Sequence, residues 1–439
     1  MLETIPYPSQ DAEERLACIA TRRMGADPVL EKRVLEFIQR VKLDGDAALL
    51  ELTRQFDAPN LTVDRLIVSE NEIQSAYEAV DPSFLGILRS AVENIEAFHR
   101  QQLRPSYFTT RPDGTFMGQM VRPVEAAGLY IPGGKGGETP LISSVLMNGI
   151  PARLAGVKDL AMATPPRADG SVNPHLLVAA REVGVTRIHK AGSAWAIAAL
   201  AYGTASVKRV DVIVGPGNVY VALAKKLVAG EVGIDLLAGP SEILVIADDL
   251  AHPDHVAADM LSQAEHDAMA SAVLITTARV LAERVIESIA RQLIELPRRD
   301  VAKEALERYG AIFIVEDIEE AVRLANRIAP EHLELQTRDP WAWLGKIEHA
   351  GAVFLGDSTP EAVGDYYAGP NHVLPTAGTA RFASALGVDN FLKRTSVICY
   401  SREALERDGQ SIVRMAELEG LEAHAESVRI RLRPRGARD

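Results

Sequence analysis

The chain has 439 residues and a net charge of −13, and its shares of hydrophobic (47%) and charged (24%) residues suit a soluble globular protein of about two to four domains. The acidic balance argues against a nucleic-acid partner, which would select a basic stripe, and two distant cysteines, Cys18 and Cys399, predict a reducing compartment without disulfides. No signal peptide and no apolar run of membrane-spanning length is visible, so we expect a cytoplasmic protein with no membrane partner.

The first quarter of the chain predicts an arm followed by helices. Residues 1–30 are polar and carry no strong pattern, which is typical of an arm rather than a core. From about Leu30 to Gln102, apolar residues such as Val34 and Phe37 recur at helical spacing. A short strand is predicted between these helices, over 65–69.

Strands and helices alternate from near Val121 onward, which predicts parallel sheets with helices on their faces. The alternation breaks near residue 235 and then resumes, so two sheets are expected. The predicted fold class is α/β, with two incomplete Rossmann-like parallel-sheet domains, a helical N-terminal portion and an extended C-terminal tail. The predicted domains are an N-terminal arm at 1–30, a discontinuous α/β domain at 31–120 and 236–381, a second α/β domain at 121–235, and a tail domain at 382–439.

The stretch from Ala329 to Leu335 places a carboxylate beside an imidazole directly after a proline. A helix is predicted over Ile318–Ile328, and Pro330 disfavours its continuation, so Glu331 and His332 stand where a helix gives way to an extended run. Histidine exchanges a proton near neutral pH, and a neighbouring carboxylate can orient water or a second proton. The alternative, from this stretch alone, is a surface pair at a helix end.

Two further segments offer metal ligands. Gln263 and His266 are three positions apart on a predicted helix, so their side chains share one face. The segment 361–379 is rich in Gly and Pro and presents Asp365 and His372. We expect this segment at the carboxyl end of a strand, where parallel sheets collect ligands. The alternatives are a polar cluster at a helix end and a surface loop with incidental polar residues.

The tail contributes Glu419 and His424, separated by a glycine. By spacing alone, this segment is more typical of an exposed acidic helix end. The three segments together contain four side chains that could bind a metal through nitrogen or oxygen: Gln263, His266, Asp365 and His424. Spacing does not show that these four side chains converge.

Two glycine-rich loops could bind a dinucleotide. Residues 215–218 join a strand to a helix, as a phosphate site at a helix N-terminus requires, but they lack the third glycine of the Rossmann fingerprint. Residues 132–137 also follow a predicted strand. The alternative for this second loop is an ordinary glycine turn.

Taken in order, these segments resemble the histidinol dehydrogenase family from about residue 30 to 432. The resemblance is carried by blocks in the same order: Gly128–Pro132, Val214–Asn218, Gly239–Ile246, Leu261–Asp267, Asn326–Leu335, Gly351–Asn390 and Glu417–Ala425. It implies NAD-dependent, zinc-requiring, four-electron oxidation of L-histidinol to L-histidine through L-histidinal, the last steps of histidine biosynthesis. It also implies a homodimer in which the tail crosses to the partner and completes a shared active site.

The resemblance also assigns roles to the candidate residues. It implies that His332 is the general base for the hydride steps and that Glu331 activates water at the aldehyde stage. The implied ligands of one zinc ion per subunit are Gln263, His266, Asp365 and His424. The implied substrate contacts are Ser241, Gln263, His266, His332, Asp365, His372, Glu419 and His424.

The implied NAD contacts are Tyr130, Trp195 and Asn218. Trp195 departs from the family, which commonly has glutamine at this position, so stacking would have to replace the hydrogen bonds of the amide. The loop 135–138 departs from the common pattern as well. Both departures concern the details of cofactor binding and leave the reaction class unchanged.

Three other functions are weighed against this one. A paralogous zinc and NAD alcohol dehydrogenase acting on a sulfonated diol would want Arg or Lys at the sulfonate, whereas Glu419 favours an imidazole substrate. A zinc hydrolase would use Glu331 on a metal-bound water, but it has no need of two dinucleotide-type loops. A metal-stabilised binding protein without catalysis would have no use for the Glu331–His332 pair.

Overall fold

The computed structural model describes residues 2–22, 28–237 and 239–433. The helices are α1 Gln10–Ala20, α2 Pro28–Asp44, α3 Asp46–Phe56, α4 Glu70–Ala79, α5 Pro82–Arg100, α6 Ile142–Ala155, α7 Pro174–Val183, α8 Ser193–Tyr202, α9 Val219–Val228, α10 Pro253–Ala264, α11 Arg279–Leu293, α12 Arg299–Tyr309, α13 Ile318–Ile328, α14 Trp341–Leu344, α15 Glu361–Tyr366, α16 Arg402–Leu418 and α17 Glu422–Leu432. The strands are β1 Thr4–Pro6, β2 Tyr107–Thr110, β3 Phe116–Pro123, β4 Ala126–Tyr130, β5 Asp159–Thr164, β6 Arg187–Lys190, β7 Val212–Val214, β8 Gly233–Ile234, β9 Glu242–Ala247, β10 Ser271–Thr276, β11 Ala311–Ile314, β12 His332–Gln336, β13 Ala352–Leu355 and β14 Leu392–Cys399. Within these described ranges, no helix has the length and apolar character needed to cross a membrane.

One sheet has six parallel strands in the order β1-β11-β10-β9-β12-β13. Strand β9 is buried along its whole length, and its side chains alternate between two cores. Ile243 and Val245 pack with α10, α11 and α12, whereas Leu244 and Ile246 pack with α1 and α13. Because helices cover both faces, the central strands read as continuous apolar runs in the sequence.

A second parallel sheet has five strands in the order β6-β5-β4-β7-β8. The chain runs outward from β4 through β5 and β6, and then continues on the other side through β7 and β8. The strand order therefore reverses between β4 and β7. The loops 131–141 and 215–218 leave the carboxyl ends of these two strands, and the crevice at such a switch point is the usual ligand position in open α/β sheets.

The chain divides into two compact units. The first comprises Met1–Gln102 and Val124–Phe391 and contains both parallel sheets, and the second comprises Leu103–Pro123 and Leu392–Asp439. In the second unit, strands β14, β3 and β2 form an antiparallel sheet, followed by α16 and α17. An ion pair of 2.9 Å between Arg407 of α16 and Asp113 joins the first of these helices to the turn between β2 and β3.

The predicted α/β class with two parallel sheets is confirmed. The segment 1–30 is nevertheless more ordered than its composition indicated, because β1 pairs with β11 and α1 buries Ala12, Leu16 and Ile19. These apolar positions form a narrow stripe on an otherwise charged helix, so the helical periodicity of apolar residues is weak in the sequence. Residues 23–27 of the predicted arm and 434–439 of the predicted tail lie outside the described residues.

The strand predicted over 65–69 is wrong. Val63–Arg65 forms a 3₁₀ turn, and Ile67 makes a single bridge to His189 rather than a ladder. The run has β-branched and apolar residues but is too short to extend pairing beyond this bridge. It connects α3 to α4 across the edge of the five-stranded sheet.

Candidate active site

The ring of His332 is held in its neutral form at the start of β12. Helix α13 ends at Ile328, and Ala329 takes a left-handed conformation (φ 54°) before Pro330 leads into the strand. Nδ1 of His332 lies 2.9 Å from the carbonyl oxygen of Glu242 in the neighbouring strand β9, so Nδ1 carries the hydrogen and Nε2 keeps its lone pair. Burial lowers the pKa of His332 to about 4, so the ring is neutral at physiological pH.

Glu331 stands beside this ring in a very different electrostatic environment. Its Oε2 accepts a hydrogen bond of 2.9 Å from the N–H of Glu242 and lies 3.7 Å from Nδ1 of His332. Burial, and then the nearby Glu242 carboxylate, raise the pKa of Glu331 well above its usual value. Arg22 offsets part of this negative charge through an ion pair of 2.5 Å with Glu242. Glu331 therefore takes up a proton more readily than an exposed carboxylate does.

Candidate metal ligands gather where α10 ends and α15 begins. Donor atoms of His266, Glu361 and Asp365 all lie within 4.8 Å of one another. Gln263 is buried one turn before His266, and in the orientation that satisfies both groups its amide nitrogen donates to the two Glu361 oxygens at 2.5 and 2.6 Å. Imidazole nitrogen and carboxylate oxygen are ligands that zinc accepts, so this donor set fits the metal implied by the resemblance.

Glu361 is absent from the set of site residues predicted by sequence, although it connects the metal group to the base. It is 3% exposed, its Oε1 lies 3.8 Å from Nε2 of His332, and its N–H donates to Glu334 at 3.1 Å. Burial, and then the Asp365 carboxylate, raise the pKa of Glu361 well above its usual value. The four-residue spacing of Glu361 and Asp365 was a usable signal, since such residues share one face of a helix.

A cavity of about 140 Å³ opens beside these groups, and His332, Asp365 and His372 are among the residues that line it. The Nε2 atoms of His332 and His372 are both buried without a hydrogen-bond partner in the described part of the chain. Burial lowers the pKa of His372 to about 4. Ser241 lies next to this region, immediately before β9. The cavity therefore presents two neutral imidazole rings and a carboxyl group to a small polar ligand.

The site lies at the amino ends of β9 and β12, so the expectation that the segment 361–379 places it at a carboxyl end is wrong. Glu242 and His332 are the first residues of these strands, and Gln263 lies in the last turn of α10. A helix that follows a parallel strand runs back to the amino edge of the sheet, so the ends of α10 and α13 return the chain there. Helix α15 brings Asp365 to the same group.

Two of the predicted cofactor residues flank the switch point of the five-stranded sheet. Tyr130 ends β4, and its hydroxyl accepts a hydrogen bond of 2.9 Å from the N–H of Ser193. Asn218 follows β7 and caps α9 by accepting from the N–H groups of Tyr220 and Val221. Glycine-rich loops at the carboxyl ends of adjacent strands, one of them entering a helix N-terminus, fit the pyrophosphate of a dinucleotide.

The third predicted cofactor residue, Trp195, is packed inside α8. It is 4% exposed and stacks on Phe56, with ring centroids 5.1 Å apart and planes 22° apart, while Phe37 meets it edge-on at 5.8 Å. One face of the indole is therefore used by α3 and is closed to the stacking expected from the sequence. Its Nε1 is buried, with no hydrogen-bond partner among the residues described.

Helix α6 joins the two regions of the first unit. It starts directly after the glycine-rich loop 131–141 that leaves β4. The side chain of Asn371 donates to the carbonyl oxygen of Met147 at 2.6 Å, and the ring of His372 is hydrogen-bonded to the backbone of Ser143. The loop that carries His372 is thus fixed to the helix that follows the candidate cofactor loop.

The remaining predicted residues belong to the second unit. Glu419 is the C-cap of α16, and His424 lies in the first turn of α17. Both are exposed. Within the first unit, the metal group comprises Gln263, His266, Glu361 and Asp365.

Comparisons with known proteins give a family model, close relatives in sequence and a similar crystal structure. The family model described as histidinol dehydrogenase matches residues 20–432. The chain is 55% identical to histidinol dehydrogenase of Desulfotalea psychrophila, over 97% of this chain and 98% of that protein, and 51% identical to that of Heliobacterium mobile, over 98% and 100%. The crystal structure of histidinol dehydrogenase from Elizabethkingia anophelis is 37% identical, covers 98% of each chain and superposes with a TM-score of 0.91.

Proposed function

The chain belongs to the histidinol dehydrogenase family, and on this premise we propose that His332 and Glu331 carry out its oxidation of L-histidinol, through L-histidinal, to L-histidine. The observation that carries the proposal is the neutral ring of His332, which is fixed through Nδ1 and lines the cavity with Asp365 and His372. A base in this state accepts a proton at physiological pH without losing its orientation.

In the first oxidation, Nε2 of His332 removes the proton of the substrate hydroxyl while hydride leaves the carbon that bears this hydroxyl. When bound, NAD accepts that hydride. The organic product is the aldehyde, and His332 releases its proton to solvent. Because burial lowers the pKa of His332 to about 4, the ring returns readily to its neutral form.

In the second oxidation, Glu331 takes a proton from water as the water oxygen adds to the aldehyde carbon. The former aldehyde oxygen takes up a proton from solvent and Glu331 returns its own to solvent, so the resulting hydrate carries two hydroxyl groups. His332 removes a proton from one of them while a second hydride leaves the same carbon, and the organic product is the carboxylic acid. A second NAD would supply the acceptor for this hydride. A carboxylate with a raised pKa suits the water step, because it is a stronger base than an exposed one.

The proposed zinc ligands are Gln263, His266, Asp365 and His424 of the partner subunit. A zinc ion held by these residues would bind the amino alcohol and orient it for reaction. We assign further substrate contacts to Ser241 and His372 of the same subunit and to Glu419 of the partner subunit. His332 and the four proposed zinc ligands also contact the substrate in this proposal. A carboxylate such as Glu419 suits the imidazole of histidinol, which donates hydrogen bonds and can carry a positive charge.

The proposed NAD site is the switch point between β4 and β7, with Tyr130 and Asn218 as contacts. Trp195 would contribute through its Nε1–H, since one face of its ring is packed on Phe56. A hydrogen-bond donor here would replace part of what an amide supplies. The carboxyl-edge position of both loops supports this assignment.

The proposed assembly is a cytoplasmic homodimer with shared active sites. Exposure of Glu419 and His424 in a single chain supports a role for both in a partner's site. Both cysteines are exposed free thiols, which is compatible with a reducing compartment.

The test is NADH formation by zinc-loaded protein with L-histidinol, counted per substrate consumed. We expect about two NADH per histidinol, because two hydrides leave one carbon. Chelation should abolish the reaction and zinc should restore it. Absence of NADH from histidinol with fully zinc-loaded, folded protein would contradict the proposal.

A further inference from the structure

A buried ion pair lies behind the loop 215–218. Lys225 of α9 pairs with Asp235, which follows β8, and their side chains are 2% and 0% exposed. Nζ of Lys225 donates to the carbonyl oxygen of Gly215 at 2.9 Å, and the N–H of Gly215 donates to Oδ2 of Asp235 at 2.8 Å. The two charged groups therefore hold both polar backbone groups of one residue.

The pair is not explained by stability alone. Taking two charges out of water costs several kcal/mol per ion, and well-packed apolar residues often stabilise a fold equally well. Here the backbone contacts of the pair converge on Gly215, the first residue of the loop. Gly215 adopts a φ of +115°, and a Cβ at this position would lie 2.2 Å from the carbonyl oxygen of Tyr130. The loop backbone is thus confined between Tyr130 on one side and the ion pair on the other.

This confinement reaches both assigned NAD contacts. Tyr130 ends β4 directly against Gly215, and Asn218 lies three residues further on as the cap of α9. Lys225 is itself on α9, so one side chain fixes the loop to the helix that the loop enters. Few arrangements of the Gly-Pro-Gly-Asn backbone satisfy all of these contacts together.

We propose that Lys225 and Asp235 are positioning residues for the dinucleotide, which hold the loop 215–218 in the conformation that receives it. The inference rests on the proposed NAD site. Neither residue contacts the cofactor in this account, since both are buried behind the loop. Their loss should weaken NAD binding and leave the histidinol and zinc sites, on the other sheet, unaffected.

The decisive variant is Lys225→Met combined with Asp235→Val. Removing both charges avoids an unpaired buried ion, so the double variant should fold, whereas each single change leaves one buried charge alone. We expect the dissociation constant of NAD, measured by titration of the zinc-loaded protein, to rise about tenfold, the change expected when one hydrogen bond from the loop to the dinucleotide is lost. The KM for histidinol and the zinc content should not change.

The matched control is Lys190→Met. Lys190 is also fully buried and paired, with Glu72, but it does not contact Gly215. This variant should lower the melting temperature and leave the dissociation constant of NAD unchanged. A double variant that binds NAD as tightly as the parent would overturn the inference.

A second variant covers failure of the double variant to fold. Lys225→Met combined with Asp235→Asn keeps an acceptor for the N–H of Gly215, leaves no buried charge and removes the donor to the carbonyl oxygen of Gly215. We expect its KM for NAD to rise with the KM for histidinol unchanged; equal changes in both, or in neither, would contradict a positioning role. If the parent itself binds no NAD, the proposed function fails, whereas NAD binding by the parent and the double variant alike overturns only this inference.

Discussion

The pKa of His332 is lowered to about 4 while those of Glu331 and Glu361 are raised, although burial is the main cause in all three. Desolvation disfavours the charged form of each group, so a histidine becomes more acidic and a carboxylic acid less acidic. The pKa of Asp365 is raised in the same way, to about 6. A cation between Glu361 and Asp365 would offset the cost of burying both carboxylates, which links metal binding to the protonation of the site.

Glu331→Gln tests whether Glu331 is needed only in the second oxidation. Glutamine can still accept the hydrogen bond from the N–H of Glu242, but it cannot take a proton from water. We expect the early NADH yield to fall from about two to about one per histidinol, with aldehyde accumulating, because only the second stage needs this base. The measurement is NADH per substrate together with trapping of the aldehyde by a hydrazine.

Glu348→Gln serves as the control, since Glu348 is an exposed carboxylate away from the cavity. It should give the parent yield. An unchanged yield in Glu331→Gln, or equal slowing of both stages, would show that Glu331 does not act on water.

Among the elements, helix α15 sets the geometry of the metal group. It carries Glu361 and Asp365, and between them Gly364 packs directly on the ring of Phe354 in β13. That ring also packs against His332, with ring centroids 5.9 Å apart. The helix, the strand and the base are thus in contact through one aromatic side chain.

Gly364→Ala should displace α15 from this position. A Cβ there would lie 2.7 Å from Cε1 of Phe354 and 3.0 Å from Cζ, so the helix or the ring must move. We expect zinc affinity, measured by competition with a chelator, to fall about tenfold, in the range found when groups that orient metal ligands are disturbed. Gly345→Ala is the control, because a Cβ at Gly345 meets nothing within 4 Å. Parent-like zinc affinity in Gly364→Ala would show that α15 has room to adjust.

Elements with a strong local pattern were predictable, and their spatial order was not. The sequence predicted a helix over Ile318–Ile328, and α13 has these bounds, because its apolar stripe and the Asp317 cap are local features. The position of the site at the amino ends of β9 and β12 depends on strand order, which no local pattern encodes. The spacing of Glu361 and Asp365 indicates a shared helix face, but the contacts of Glu361 with Gln263 and His332 are distant in sequence and depend on strand order in the same way.

Trp195, which packs near the five-stranded sheet, shows that the packing partner of a side chain could not be predicted from the sequence either. Comparison with the usual glutamine predicted stacking on a cofactor, but the ring packs on Phe56 instead. Phe56 lies at the end of α3, and its proximity to α8 follows only from how the N-terminal helices pack. The identity of residue 195 therefore did not predict which side chain the indole ring contacts, and its role at the cofactor stays a prediction.

At the scale of the whole molecule, a buried histidine makes stability depend on pH, and the tail carries the proposed assembly. His189 in β6 is 2% exposed, and neither ring nitrogen has a partner among the described residues. Burial is the main cause that lowers its pKa from 6.5 to about 4. The unfolded chain therefore binds a proton at higher pH than the folded chain does. The contribution of His189 to stability is complete above about pH 6.5 and is lost as the pH falls toward about 4.

His189→Leu should flatten this acid loss of stability. Leucine has a similar volume, forfeits no hydrogen bond and does not titrate, so the difference between variant and parent should reach roughly 3 kcal/mol near pH 4. The measurement is the urea midpoint at about pH 7.5 and about pH 5, where the difference should be roughly 2 kcal/mol, with a chelator present so that zinc loss does not contribute. An identical pH dependence in variant and parent would mean that His189 does not titrate on unfolding in this range.

Mixed dimers test whether each active site combines the first unit of one subunit with the tail of its partner. His332→Ala and His424→Ala should each be inactive alone, because one removes the proposed base and the other a proposed zinc ligand. In a symmetric dimer with a shared site, a heterodimer of the two variants holds one site with both defects and one with neither. After equal mixing and complete exchange, half of the dimers are heterodimers with one intact site, so about a quarter of the parent activity should return.

Mixing His332→Ala with Asp365→Ala should restore nothing, since both residues come from the first unit and every site then keeps a defect. Recovery in the first mixture alone requires a site completed in trans, whereas no recovery, with subunit exchange verified by mass, would place His424 in the site of its own chain or outside the site altogether.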